Sequence, residues 1–388
     1  MNTQPHRSDV STMSNESLAV ETSGVKVAIL MCTYNGSKFL GEQLESFVRQ
    51  THKNWVVYAS DDGSSDDTLI LLSKYQRKLG KDRLILLNGP REGFAKNFLS
   101  LVKNRSIIAD YFAFRDQDDI CLEDKLERSI AKASAHQNIP ALYCSRTRLI
   151  SADKQVQGYS PLFSAAPEFA NALVQSIAGA NTMLINSHAR ELLAQTPDDA
   201  VIVAHDWLTY LLVTGCGGTV FYDPQPTLDY RQHSENLIGA NSGVRDRLIR
   251  LVKMCTGRFR EWSTQNLLIL NSFRQKLTPQ SQRTLEQFEK ARQSSFFPRL
   301  CLIKKSGIYR QTLPGNISLL IAACLYRILA NVSDEESSDQ STGMGARMPS
   351  RLTYGKVPPA KGEGFVTDRP PLRIRGNAQA VPARTSDF

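Results

Sequence analysis

The sequence predicts an α/β protein: a doubly wound, mostly parallel sheet with helices on both faces, followed by a helical, basic C-terminal region. Three observations predict it. Four short apolar runs alternate with helical periods between Lys26 and Ala135, the pattern of successive strand–helix units. Polar clusters end three of those runs, Thr33–Asn35, Asp61–Ser64 and Asp116–Asp119, and ligands of open α/β sheets bind beyond the carboxyl ends of the strands. The charge is also segregated. Residues 1–240 hold 23 Lys and Arg against 27 Asp and Glu, residues 241–332 hold 16 against 4, and residues 333–388 hold 8 against 7.

The first 24 residues are polar, with no apolar core before a small-residue cleavage site, so they read as a disordered segment and not as a secretory signal. Val27–Thr33 (VAILMCT) has the composition of a buried strand and is ended by the turn pair Asn35-Gly36. Phe39, Leu40, Leu44, Phe47 and Val48 then recur at helical spacing. A second strand, Trp55–Ala59, runs into Asp61-Asp62-Gly63-Ser64-Ser65, and Asp66-Asp67 suits the start of a helix over Leu69–Leu79 because carboxylates favour the positive end of the helix dipole. A third strand, Arg83–Leu87, leads to a helix over Phe94–Val102. A fourth, Tyr111–Phe114, leads through Arg115-Asp116-Gln117-Asp118-Asp119 to a helix over Leu122–Ala135.

Beyond residue 140, strand-like runs at Ala141–Ile150, Asn181–Ile185 and Thr219–Tyr222 alternate with helical stretches at 187–195 and 205–214. Residues 244–254 and 262–293 read as helices on a basic background. Ile317–Ala330 is apolar for about 14 residues, short of the ~20 that span a bilayer. Residues 333–388, rich in Ser, Pro, Gly and Arg, read as a disordered tail. The expected organisation is thus a segment 1–24, a sheet-containing domain over 25–240, a basic helical region over 241–332 and a tail over 333–388.

Composition excludes several classes. With 41% hydrophobic and 22% charged residues the chain is neither collagen-like, fully disordered nor a multi-span membrane protein. Its 7 Cys contain no CxxC pair, which suits reduced thiols in a cytosolic compartment better than disulfides or a zinc site. An acidic first part argues against a nucleic-acid partner. There is no GxGxxG after the first strand and no GxxxxGK[ST], so a dinucleotide fold and a phosphate-binding loop are unsupported.

Asp116-Gln117-Asp118-Asp119 places three carboxylates at the end of an apolar strand. Clustered anions repel one another and resist desolvation unless a cation sits among them, and Mg²⁺ or Mn²⁺ bridging substrate phosphates fits that need; a solvated acidic turn is the alternative. Asp61-Asp62-Gly63-Ser64 offers acceptors for a base imide or ribose hydroxyls, though it is also good turn chemistry, as is Cys32-Thr33-Tyr34-Asn35-Gly36.

Taken together, VAILMCTYNG, YASDDGSSDDT and FRDQDDICLEDKL resemble the family 2 glycosyltransferases, nucleotide-diphosphosugar enzymes of the GT-A fold, in order and spacing. The resemblance continues over roughly residues 25–330. Ser176–Thr182 is similar to the family's sugar and acceptor loop, and Ala204-His205-Asp206-Trp207-Leu208 to its base motif. Tyr230-Arg231-Gln232-His233 with Asn236 and Gly239 is similar to its late donor-binding motif, in the form most like the rhamnosyltransferase branch of bacterial O-antigen and polysaccharide enzymes. Ser234-Glu235 departs from the Gly-Asn of many relatives.

The resemblance implies roles for particular residues. Thr33, Tyr34 and Asn35 would line the nucleotide pocket, Asp61 or Asp62 would hold the base or ribose, and Asp116 the ribose or sugar. Asp118 would ligate Mg²⁺ or Mn²⁺. Asp119, Gly179, Ala180, Asn181, His205 and Trp207 would belong to the acceptor and sugar region. Arg231 and His233 would lie near the diphosphate, His233 as a second metal ligand, and Asp206 would be the general base. The implied reaction is inverting transfer of a sugar, L-rhamnose from dTDP-L-rhamnose, to a lipid-linked saccharide in surface-polysaccharide synthesis (O-antigen or capsule). A UDP-hexose-dependent transferase, a nucleotidyltransferase and a non-catalytic assembly subunit are the alternatives. The basic region, with Phe296-Phe297-Pro298, Leu300–Ile303 and Ile317–Ala330, fits peripheral contact with an anionic inner membrane from the cytoplasmic side; a core or oligomer helix and a polyanionic acceptor are the competing readings.

Overall fold

The computed structural model describes residues 24–232 and 258–325. The expectations for residues 1–23, the helix at 244–254, His233 to Gly239, the end of the apolar run at 326–330 and the tail lie outside the described residues.

The strand VAILMCT forms β1 (Val27–Thr33), buried at every residue. It pairs in parallel with β2 (Trp55–Asp61) on one side and β4 (Tyr111–Arg115) on the other, and β2 pairs in parallel with β3 (Leu84–Asn88). A β-strand turns alternate side chains to opposite faces, and β1 divides accordingly. Ala28, Leu30 and Cys32 pack with Phe98, Leu99 and Leu208, which lie on α3 (Phe94–Lys103) and α7 (His205–Gly215). Val27, Ile29 and Met31 pack with Leu40, Leu44, Leu72 and Leu126, on α1 (Ser37–Val48), α2 (Thr68–Leu79) and α4 (Lys125–Ala133). Helices therefore cover both faces, as the continuous apolar runs require.

Beyond β4 the sheet is completed by β6 (Ala141–Ser145), β9 (Leu184–Asn186) and β10 (Thr219–Asp223), in the order β10-β6-β9-β4-β1-β2-β3. Only β9 runs antiparallel to its neighbours, β4 and β6. A second sheet, β5-β11-β7-β8, is built from β5 (Ile120–Cys121), β7 (Arg148–Ser151), β8 (Val156–Tyr159) and β11 (Leu228–Gln232). Two short helices, α5 (Phe169–Ala172) and α6 (Ser187–Ala194), fill the remaining crossovers.

Four expectations shift. The run Ala141–Ile150 divides between the two sheets: the ladder of β6 with β10 ends at Ser145, and after the polar stretch Arg146–Thr147 the strand Arg148–Ser151 pairs with β11 and β8 instead. In Asn181–Ile185, Ala180–Thr182 is a short 3₁₀ turn, with Thr182 Oγ1 donating to Gly179 O at 2.8 Å, so the strand starts at Leu184. The helix read over 262–293 is two, α8 (Arg258–Ser272) and α9 (Pro279–Gln293). Pro279 suits a first turn and breaks an interior, and Thr278 caps α9 by accepting from Ser281 N at 3.1 Å. The fourth is α10 (Phe296–Ser306), ended by Gly307 at φ +66° and followed by α11 (Leu313–Leu325). Leu270, Phe273, Leu277 and Leu285 join the core on the α7 face. No helix among the described residues is long and apolar enough to cross a membrane.

Candidate functional site

The strand register brings the polar clusters to one edge. Thr33 lies opposite Asp61 and Met31 opposite Arg115, so the turns after β1, β2 and β4 meet beyond their carboxyl ends. Asp61 is saturated by its own chain: Thr33 Oγ1 donates to it at 2.9 Å, Ser64 N at 2.8 Å and Ser64 Oγ at 2.6 Å. Asp62 accepts from Arg91 N at 2.7 Å and Gly93 N at 2.9 Å, which ties down the turn after β3. Asn35 adopts φ +48° and accepts from Ser65 N at 2.8 Å. Tyr34 is 58% exposed.

Of the carboxylates after β4, Asp116 and Asp118 are partly exposed and Asp119 is buried. Desolvation, and then the neighbouring Asp118 and Asp206 carboxylates, push Asp116 up to about 7. Asp119 accepts from Asn181 Nδ2 at 2.6 Å and Arg231 N at 3.2 Å, and burial raises it well above the usual carboxylate range. Asn181 is thus turned inward, joining the 179–182 turn to the carboxylate loop.

Asp206 stands in the first turn of α7 and accepts from Trp207 N at 2.7 Å. Burial pushes it up to about 6, against lowering main-chain bonds that include Ala180. Asp116, Asp118, Asp206 and Ala180 therefore converge, drawn from three separate motifs. The neighbours of Asp206 face elsewhere. His205 stacks on Phe98 with ring centroids 3.9 Å apart and has Phe94 and Phe114 around it. Burial lowers it to about 3, and neither ring nitrogen has a hydrogen-bond partner. The Trp207 indole donates to Ala172 O at 2.7 Å inside the core. Gly179 is exposed.

The donor set suits a hard divalent cation. Asp116 and Asp118 supply two carboxylates, the number Mg²⁺ commonly takes when phosphates and water complete its shell, and the part of the upward push on Asp116 that follows desolvation, repulsion from Asp118 and Asp206, is one a cation would offset. Among the described residues no group of three or more His, Cys, Asp or Glu is arranged around a common metal position, and His233 lies outside them.

Four side chains that the motif reading passed over organise this edge. The Gln117 amide makes a reciprocal pair with the Tyr34 main chain, accepting at 2.8 Å and donating at 3.0 Å. A Cβ on Gly36 would meet Gln117 Oε1 at 2.2 Å, so the Gly of the Asn35-Gly36 pair makes room for the carboxylate loop. Arg115 Nη1 donates to Asn181 O at 3.1 Å and Met183 O at 3.0 Å, and the buried Lys125 reaches Thr182 O at 3.3 Å and Thr227 Oγ1 at 2.9 Å. Glu42 is the fourth, through its ion pair with Arg231. Their only signal in the sequence was a charged or amide residue in an otherwise apolar or motif-bearing stretch.

Known proteins give the same picture. Residues 28–177 match the profile described as "Glycosyl transferase family 2". The chain is 30% identical over 232 residues to the dTDP-rhamnosyl transferase RfbG of Shigella flexneri, spanning 57% of this chain and 78% of that relative. It is 31% identical over 105 residues to WfgD of Escherichia coli, a UDP-Glc:alpha-D-GlcNAc-diphosphoundecaprenol beta-1,3-glucosyltransferase, over 27% of this chain and 40% of that one. Among solved structures, S. aureus TarS 1–349 in complex with UDP-GlcNAc superposes at a TM-score of 0.46 with 15% identity, over 80% of this chain and 92% of that one. The three polar motifs at the strand ends, and the extended match to a relative most of whose length is covered, make this chain a member of glycosyltransferase family 2.

Proposed function

We propose that this glycosyltransferase transfers L-rhamnose from dTDP-L-rhamnose, with inversion, to a lipid-linked saccharide in bacterial surface-polysaccharide synthesis. The observation that carries the reaction type is the arrangement of the carboxylate loop, tied to the 179–182 turn through Asp119 and Asn181 at 2.6 Å, with Asp206 in the first turn of α7, near enough for the Asp206 carboxylate to raise Asp116. The name of the Shigella relative supports the donor, and the diphosphoundecaprenol substrate in the name of the Escherichia coli relative supports the acceptor.

In this reading the Tyr34 ring and the turns fixed by Asp61 and Asp62 hold the nucleoside, and Asp116 faces the ribose and sugar. Asp116 and Asp118 are the residues that would hold Mg²⁺ or Mn²⁺, whose chemistry when bound is neutralisation of the leaving diphosphate. Asp206 takes the proton of the acceptor hydroxyl as its oxygen attacks the anomeric carbon opposite that diphosphate. A carboxylate raised to about 6 is mostly ionised at neutral pH, yet more basic than an ordinary Asp. Arg231 acts from behind the carboxylate loop, since its side chain is fully buried.

The acceptor's lipid calls for membrane contact, and the described C-terminal helices suit it. Leu313, Ile317, Leu320 and Ile321 lie exposed along α11, and Phe296 and Phe297 at the start of α10. Arg299 Nη1 donates to Ala323 O at 2.8 Å, which sets the start of α10 beside the end of α11 and joins the two apolar groups. Lys304 and Lys305 follow on α10.

The deciding experiment is a thermal-shift screen of the purified chain with dTDP, UDP and GDP, each with and without Mn²⁺, because a ligand that binds only the folded state raises its stability. A shift with dTDP that needs Mn²⁺ is expected. A shift with UDP alone would replace the donor, and no shift with any nucleotide would remove the donor site.

A further inference from the structure

β11 carries, one residue before its end, a charge with no access to water. Arg231 is 0% exposed, yet its guanidinium and main chain join β11 to three other segments. Nε donates to Asp118 O at 2.9 Å, Nη1 to Ala152 O at 2.7 Å, Nη2 to Glu42 Oε2 at 2.6 Å, and the main-chain N to Asp119 Oδ1 at 3.2 Å. The guanidinium carbon lies 4.5 Å from the centroid of the Phe39 ring. Glu42, one turn along α1 from Phe39, also takes Lys154 Nζ at 3.0 Å. Lys154 holds φ +64°, a conformation that L-residues other than Gly adopt rarely and that persists only where surrounding contacts enforce it.

A buried guanidinium is strongly unfavourable without an opposing charge, and Glu42 supplies that charge from the first helix. We infer that Glu42 is a positioning residue of the transfer site: paired with Arg231, it sets the main chain at Asp118 and Asp119 and latches the β7–β8 turn against it. Removing the charge on Glu42 takes an ion-pair partner from the guanidinium whose Nε holds Asp118 O. The carboxylate loop would then be held less firmly at Asp118 and Asp119, which Arg231 contacts. This inference rests on the proposed use of Asp116 and Asp118 for a nucleotide-bound cation.

Glu42→Gln tests it, because the amide keeps the shape of the contact and removes the charge. Glu45→Gln is the control, since Glu45 carries equal charge on the same helix but pairs with Lys78 and Tyr75. Two readouts are needed: hydrogen–deuterium exchange of peptides covering residues 116–121, and calorimetric affinity for dTDP and UDP with Mn²⁺. Glu42→Gln is expected to speed exchange in that loop and to weaken Mn²⁺-dependent nucleotide binding by about tenfold or more, the scale seen when a partner behind a ligating carboxylate is lost. Glu42→Asp should recover part of that affinity, and Glu45→Gln should change neither readout. Wild-type exchange in Glu42→Gln, or faster exchange with undiminished affinity, overturns the inference. If Glu42→Gln does not fold, the comparison of Glu42→Asp with Glu45→Gln decides on the same two readouts. Should the wild-type chain bind no nucleotide with Mn²⁺, the functional reading fails, and loop exchange alone judges Glu42.

Discussion

Asp206 carries the sharpest prediction at the scale of single residues. In the unfolded chain an aspartate ionises near 4, whereas in the fold burial moves Asp206 to about 6. Between those values the folded state binds the extra proton, so stability falls as pH rises through the window and the deficit persists above it. Asp206→Asn should therefore raise the melting temperature at pH 7.5, by a stabilisation on the order of 2 kcal/mol, and change it little near pH 4. The same variant should keep nucleotide affinity and lose about 100-fold or more in kcat, with the rise of kcat/KM through pH 6 abolished. Retained turnover would remove Asp206 as the base. The carboxylates at the strand ends were legible because a polar cluster after an apolar run marks a ligand edge whatever surrounds it. Gln117 and Glu42 were not: the first acts on Tyr34 across 83 positions and the second on Arg231 across 189, and nothing local distinguishes either from a solvated side chain. His205 and Trp207 show the converse. Their place in a motif pointed toward the acceptor, while the helical turn that presents Asp206 rotates both neighbours into the core.

Elements were readable where burial is uniform and obscure where pairing decides. β1, β2 and β4 are buried at every residue and apolar up to their polar carboxyl ends, so composition alone marks them. β5, β8 and β11 are short, β8 and β11 mix apolar with polar residues, and they form a second sheet in which Arg148–Ser151 pairs with β11 and β8 and β11 pairs with β5. The helical background over 262–293 concealed a stop at Phe273–Thr278 that Pro279 signals directly. The cap there can be weighed. Thr278→Ala removes the acceptor for Ser281 N and should lower stability by about 1 kcal/mol, read as a shift of the urea midpoint with unchanged slope. An unchanged midpoint would show that the Pro279 start alone holds α9.

Taken as a whole, the molecule combines a site at one edge of the sheet with an apolar, basic face on α10 and α11. Cosedimentation with vesicles tests that face. Binding to vesicles containing anionic lipid should exceed binding to neutral ones, and should weaken between low salt and 0.5 M salt as screening shortens its range. Phe297→Ser with Ile321→Ser, both exposed positions, should reduce binding without changing nucleotide affinity. Binding that ignores both lipid charge and these substitutions would leave the face to a protein partner.

The pair that joins Glu42 to Arg231 also bears on the order in which the chain acquires competence. Its partners are 189 residues apart, among the longest separations in the fold, while β1, β2 and β4 pair within 27–115. Closing a long loop carries a larger entropic cost than closing a short one, and non-local contacts form late. A refolding chain should therefore regain its far-ultraviolet circular dichroism before it regains nucleotide binding, and the lag should lengthen in Glu42→Gln. Simultaneous recovery would place the pair among the early contacts. On a ribosome, the same geometry withholds a finished site until β11 has emerged, so a chain cut short within the sheet carries its acidic motifs without the contact that aligns them.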